Sequence, residues 1–160
     1  MNRKAVNSTV GDAVTNVGDV VSDTVSDIGK TVSGWILSAR SHANMLGVDS
    51  RLKAVVSRAL ELSPYDFTIT SGKRSAAEQN ALYKKKASQL DGYNKKSKHQ
   101  LGLAVDFMAY DENGKGTWDW KYYDAVSQAF KQAANELGVA ITWGGDWVTF
   151  KDGPHIELRA

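Results

Sequence analysis

Two stretches of this 160-residue chain carry side chains able to hold a metal ion. Ser97-Lys98-His99-Gln100-Leu101-Gly102-Leu103-Ala104-Val105-Asp106 supplies a His and an Asp; Asp152-Gly153-Pro154-His155 supplies a second His and, three residues before it, a spare carboxylate. Two neutral imidazoles and one carboxylate suit a Zn2+ ion that keeps a fourth position open for water, the layout of a catalytic rather than a structural site. The chain has no Cys, which excludes disulfides and thiolate ligands and leaves His and carboxylate as the donors. The chemistry implied is metal-assisted hydrolysis.

Each residue alone has an ordinary explanation. Asp106 sits in the apolar run Ala104 to Met108, which reads as a buried strand where an unpaired carboxylate is costly; a Lys or Arg partner would remove that cost as well as a metal would. His99 alone reads as a surface residue. Together they favour a site: of three His in the chain two lie in these stretches, and Gly102 and Gly153-Pro154 beside them suit a backbone held close to it. The third, His42, has no partner motif and reads as a polar position.

The pattern Ser-x-His-x-x-Gly-x-Ala-x-Asp (Ser97 to Asp106), then Trp143-Gly144-Gly145-Asp146-Trp147, then Asp-x-x-His-x-Glu (Asp152 to Glu157), resembles the D-alanyl-D-alanine carboxypeptidase and L-alanyl-D-glutamate endopeptidase family of zinc peptidases, and within it the phage endolysin branch. Thr70-Ser71-Gly72-Lys73-Arg74-Ser75 is similar to the family's upstream Arg segment, and the likeness runs from about Val48 to Leu158. The resemblance implies zinc on His99, Asp106 and His155, and puts Asp152 in the place of the general base. That base is Glu in the carboxypeptidase branch and often Asp in the endolysin-like branch, so Asp152 favours an endopeptidase. Glu157 is the rival base: residues two apart on a strand share a face, so it would stand beside His155 and either accept the proton or orient a ligand. Arg74 would grip a substrate carboxylate or steady the oxyanion, where otherwise it would read as a surface ion pair. Trp143 and Trp147 either wall a cleft or belong to the core, and Asp146 fixes their loop through backbone hydrogen bonds.

The elements that must position these groups follow from periodicity. Ser50 to Leu62 has apolar residues at helical spacing and stops before Pro64; Phe67 to Thr70 reads as a strand; Ser75 to Ser88 reads as a helix opened by the capping box Ser75-Ala76-Ala77-Glu78. Residues 89 to 98 form a polar loop, Ala104 to Tyr110 a strand, Asp111-Glu112-Asn113-Gly114 a turn, and Trp120 to Leu137 a helix with Gly138 as its stop. Strands at Val139 to Thr142, Trp147 to Phe150 and His155 to Leu158 complete an antiparallel sheet. The fold class is α+β, a small antiparallel sheet flanked by helices, with a peptidase domain over residues 46–160 and an N-terminal appendage over residues 1–45.

The appendage has its own pattern. Val6, Val10, Val14, Val17, Val21, Val25, Ile28, Val32 and Ile36 are separated by steps of 4, 4, 3, 4, 4, 3, 4 and 4, an eleven-residue repeat that suits a nearly straight helical stripe. Its Val, Thr, Ser, Asp and Gly are mediocre or poor helix formers. The segment is either a helix requiring a partner (another protein, a copy of itself, a lipid surface or the catalytic domain) or a tether. No apolar run reaches the roughly 18 residues that cross a bilayer, and the N-terminus lacks a signal-peptide core. Access to the cell wall is then expected after release from the host cytoplasm at lysis, or from a virion.

Net charge is +2, unevenly placed. From Leu46 to Gln100 there are eleven Lys or Arg against five Asp or Glu. A basic rim beside the metal would draw an anionic polymer such as peptidoglycan, with its acidic stems. Nucleic acid is not expected, because no recognised binding motif accompanies the charge. The function expected is hydrolysis of the L-alanyl-D-glutamate bond of peptidoglycan; a D,D-carboxypeptidase and a non-catalytic wall-binding module on the same fold are the alternatives.

Overall fold

The computed structural model describes residues 34–159, so most of the valine stripe lies outside the described residues. Within them the α+β architecture is realised. Helix α1 (Ala39–Asn44) is followed by α2 (Ser50–Leu62), β1 (Phe67–Ser71), α3 (Ala76–Lys84), β2 (Ala104–Tyr110), β3 (Gly116–Thr117), α4 (Trp120–Leu137), β4 (Ile141–Trp143) and β5 (His155–Leu158). The strands run β1-β2-β5-β4, every pairing antiparallel, with β3 on the far end of β2.

Helix α2 forms where its pattern requires. Asp49 caps it by accepting the Arg51 N–H, and Leu52, Val55, Val56, Ala59, Leu60 and Leu62 are buried along one face. Helix α4 begins at Asp119, which accepts the Lys121 N–H, and ends at Gly138 with φ 67°, a left-handed stop suited to glycine. Val126, Phe130 and Ala133 on its inner face meet α2 and the sheet; Arg58 on α2 reaches Glu136 on α4 at 2.6 Å. Phe67, Phe107 and Phe130 form the aromatic centre of the core, with ring centroids 5.1 to 5.7 Å apart.

Strand alternation divides the sheet into two chemistries. Val105, Phe107, Ile156 and Leu158 are core residues, whereas Asp106, His155 and Glu157 occupy the alternate positions of β2 and β5. In the β2–β5 register Asp106 stands directly opposite His155 and Ala104 opposite Glu157. On its other side β2 meets an irregularity in β1, between Ile69 and Ser71, at the level of Asp106.

Three elements depart from the sequence expectation. Trp147 to Phe150 is a bent, largely exposed loop rather than a strand, with Val148 95 % and Phe150 73 % exposed; it has the alternation of a strand but no strand to pair with. Helix α3 stops at Lys84 instead of Ser88, because the fully buried Gln79 draws the chain back, its Nε2 donating to both Ser88 Oγ and Leu90 O at 2.8 Å. Strand β4 starts two residues late and takes in Trp143. Helix α1, N-terminal to residue 46, is tied to β1: the buried Ser41 Oγ accepts the Ile69 N–H and Asn44 Nδ2 donates to Ile69 O. No helix among the described residues is long and apolar enough to cross a membrane.

Candidate metal centre

Three elements bring His99, Asp106 and His155 together. Asp106 and His155 arrive as cross-strand partners, and His99 arrives on the turn that leads into β2. That turn closes through Gly102, whose N–H returns to His99 O and whose φ is 71°. A side chain there would also collide with Gly47 O, 2.5 Å from its Cβ, so glycine serves both the turn and the close approach. Gly153 is under no such constraint: a Cβ would meet nothing nearer than 3.5 Å.

One donor atom from each residue lies within 4.8 Å of the others. His99 Nε2 is 3.3 Å and His155 Nδ1 3.2 Å from Asp106 Oδ1. The outward nitrogens are held as well. His99 Nδ1 lies 2.8 Å from the Gly72 carbonyl and His155 Nε2 2.9 Å from Glu157 Oε1. In the neutral rings these acceptors select the tautomers whose inward nitrogens carry lone pairs; a protonated His155 instead donates its Nδ1–H to Asp106. Glu157 is in turn fixed by Lys98 Nζ at 2.8 Å.

The electrostatics match this geometry. Burial alone would raise Asp106, but hydrogen bonds from His155 and His99 outweigh it and hold the carboxyl well below its ordinary range. Burial opposes the charge on His155, yet its bonds to Asp106 and Glu157 prevail and raise it from 6.5 to about 9. Asp152 moves the other way: burial and the Asp106 charge both push it up. Its side chain makes no hydrogen bond or ion pair among the described residues, and it faces the same cavity, of about 760 Å3, as the three candidate ligands. Glu157 is also buried in part, but His155 and Lys98 lower it.

Arg74 lines that cavity. Its side chain is 12 % exposed, and its guanidinium donates to Gln79 Oε1 at 2.7 Å and Ser71 Oγ at 3.3 Å and lies 3.6 Å from Asp106 Oδ2. The tryptophans divide. Trp147 is half-buried at the cavity wall with its ring 5.0 Å from that of His155, while Trp143 is a core residue donating its Nε1–H to Gly153 O. Asp146 pairs with Lys131 at 2.8 Å, a side-chain contact where backbone bonds were expected. His42 is exposed on α1 and takes no part in the cluster.

The sequence reading missed the groups that position others: the Gly72 carbonyl, Gln79, and Lys98. Gly144 belongs with them, since a Cβ there would sit 2.3 Å from Asp152 O and 3.0 Å from His155 Cβ. Lys98 and the two glycines left a signal, each lying inside a quoted motif, whereas Gln79 left none. Ser97 Oγ is buried at the cavity wall without a hydrogen-bond partner among the described residues, a donor a bound polar group would satisfy.

The comparisons with known proteins agree with the fold and the family resemblance. Residues 33–159 match the family profile described as phage L-alanyl-D-glutamate peptidase. The L-alanyl-D-glutamate peptidase of Escherichia phage T5 is 40 % identical over 130 residues, 74 % of this chain and 93 % of that protein. The peptidoglycan L-alanyl-D-glutamate endopeptidase CwlK of Bacillus subtilis is 37 % identical over 102 residues, 58 % of this chain and 60 % of that one. Among solved structures, the Serratia marcescens L-Ala D-Glu endopeptidase ChiX superposes with a TM-score of 0.70 at 36 % identity, covering 84 % of this chain and 95 % of that one.

Proposed function

Because this chain belongs to the phage L-alanyl-D-glutamate peptidase family, we propose that it is a zinc peptidase cleaving the L-alanyl-D-glutamate bond of peptidoglycan stems, with His99, Asp106 and His155 as the metal ligands and Asp152 as the general base. The observation that carries the assignment is the arrangement of the site: three donor atoms within 4.8 Å, and one half-buried carboxylate left unengaged in the same cavity. The donor set fits zinc, which takes imidazole nitrogen and carboxylate oxygen and in catalytic sites uses three protein ligands. Bound there, zinc supplies a Lewis acid for the scissile carbonyl and acidifies the attacking water.

The chain's own residues do the rest. Asp152, pushed up by burial and by Asp106, is a stronger base than an ordinary carboxylate; it takes the proton from the attacking water and delivers it to the departing D-glutamate nitrogen. Glu157, spent on His155 and Lys98, is a positioning residue that keeps the His155 Nδ1 lone pair facing inward. Arg74, clamped by Gln79 and Ser71, keeps its guanidinium ready for substrate carboxylate or the oxyanion. Trp147 walls the cleft over His155.

We place the start of the peptidase body near residue 34, earlier than residue 46, on the packing of α1 against β1; the part of the valine stripe before it is the segment that associates with a partner or delivers the enzyme to the wall. Delivery follows phage-directed lysis or virion entry. The decisive experiment is mass spectrometry of digested, purified wall. A new amino terminus on D-glutamate, lost on chelation and in Asp152→Asn with the metal still bound, is expected. Release of D-alanine as the main product, or near wild-type turnover by Asp152→Asn, would refute the assignment.

A further inference from the structure

A second cavity, of about 420 Å3, adjoins the metal cleft and shares Arg74 and Lys96 with it. It is cationic: Lys73, Arg74 and Lys96 line it with Tyr93 and Gln100, and no acidic residue does. Lys73 and Lys96 form no ion pair among the described residues.

The loop that carries Tyr93 and Lys96 is locked in place rather than merely adjacent. Asp91 Oδ1 accepts the N–H groups of Tyr93, Asn94 and Lys95, and Gln100 Nε2 donates to Gly92 O at 2.7 Å. Gly92, at φ 87°, approaches α3 so closely that a Cβ would lie 2.8 Å from Ala76 O. On the opposite wall the Lys73 stem lies along Gly47, its Cδ 2.9 Å from where a Cβ would be. Two unpaired ammonium groups thus flank a preformed hollow that starts at Arg74, itself 3.6 Å from the candidate ligand Asp106.

Resting on the reaction proposed above, we propose that this hollow is a carboxylate subsite for the third residue of the stem, the one after D-glutamate, and makes the enzyme selective for stems whose third residue carries a side-chain carboxylate. D-glutamate is joined onward through its γ-carboxyl, so its free α-carboxylate lies beside the scissile nitrogen, within reach of Arg74. The next residue then extends past Arg74 toward Lys73 and Lys96. The far end of a diaminopimelate residue carries a carboxylate beside its ammonium group and is neutral overall, so two cations have a carboxylate to attract; a lysine residue presents an ammonium group alone, which they repel.

The test uses three soluble muropeptides that differ only in the third residue: diaminopimelate, diaminopimelate with its side-chain carboxyl amidated, and lysine. Wild-type kcat/KM should be highest for diaminopimelate and lower for both the amidated and the lysine stems, with a diaminopimelate-to-lysine ratio on the order of tenfold, as two partly exposed charge contacts provide, and the ratio should shrink as salt is added. In Lys73→Met/Lys96→Met the ratio should drop below about twofold, and in Lys73→Glu/Lys96→Glu it should invert. Equal wild-type rates at the L-alanyl-D-glutamate bond, or a preference that survives in the Met variant, would overturn the subsite alone. Cleavage at another bond in all three would overturn the underlying reaction. Competition by a polyglycerol phosphate, lost in the Met variant and accompanied by no stem preference, would reassign the hollow to wall-polymer phosphates.

Discussion

Gly72→Ala should uncouple the metal site from the fold without touching a ligand. A Cβ at Gly72 would lie 2.1 Å from Asn44 O and 2.9 Å from Val48 Cγ2. A carbon–oxygen contact needs about 3.3 Å, so roughly 1.2 Å must be opened. Helix α1 cannot simply move away, because Asn44 Nδ2 and Ser41 Oγ hold it to Ile69. The end of β1 must yield, and with it the Gly72 carbonyl that lies 2.8 Å from His99 Nδ1. A shift of about 1 Å breaks that bond. Overpacking should cost about 1–3 kcal/mol of stability, and loss of the orienting acceptor about 10–100-fold in zinc affinity. Chelator competition reads the affinity, and thermal unfolding of the metal-free protein reads the packing cost separately. Gly138→Ala is the control: it forces alanine to φ 67° with nothing within 4 Å, so it should cost about 1–2 kcal/mol while leaving zinc affinity unchanged. Wild-type zinc affinity in Gly72→Ala would refute the argument that this carbonyl sets the His99 ring.

Three other outcomes are expected. In metal-free protein the raised His155 contributes stability that is complete below 6.5 and lost as pH rises through about 9, so the unfolding midpoint should decline across that window. Zinc requires the neutral ring, so its affinity should rise with pH up to about 9, by about tenfold per unit, with proton release measurable by calorimetry in buffers of different ionisation enthalpy; pH-independent affinity would contradict it. Trp143→Ala should lose about 3–5 kcal/mol of stability as a core truncation, whereas Trp147→Ala should lose turnover with a much smaller stability change; the reverse pattern in unfolding and kinetic assays would show that the cleft wall is misassigned. Deleting residues 1–33 should leave hydrolysis of soluble muropeptides intact while wall delivery or association declines, and loss of soluble turnover would place that segment in the catalytic body.

Much of this protein can be read from local pattern. The candidate ligand trio stood out because His99 and Asp106 share one short motif, His155 sits in another, and the absence of Cys left few donors to choose from. Helices α2 and α4 were legible from end to end, since a sustained 3.6-residue apolar period and a stop at Pro64 or Gly138 act over neighbours in the chain. Strand β2 was legible for a related reason, an apolar run interrupted by one carboxylate that had to be compensated. The Trp147 to Phe150 segment shows the limit: alternation describes a strand only if another strand is there to pair with it, and β4 and β5 pair with each other instead.

What tertiary structure alone decided is how each group is held. That Asp106 faces His155 is a matter of strand register, which the hydrophobic alternation of two distant segments sets jointly. That the Asp152 side chain has no hydrogen-bond or ion-pair partner among the described residues while Glu157 is engaged depends on where Lys98 and His155 arrive, although both acids lie within three residues of His155. The Gly72 carbonyl and Gln79 act through contacts made 27 and 5 residues away, one a backbone atom common to every residue and the other an amide in a helix with little amphipathic signal. Residue identity and spacing determine which chemistry is available; long-range packing determines which of two similar carboxylates, or two similar tryptophans, is left free to perform it.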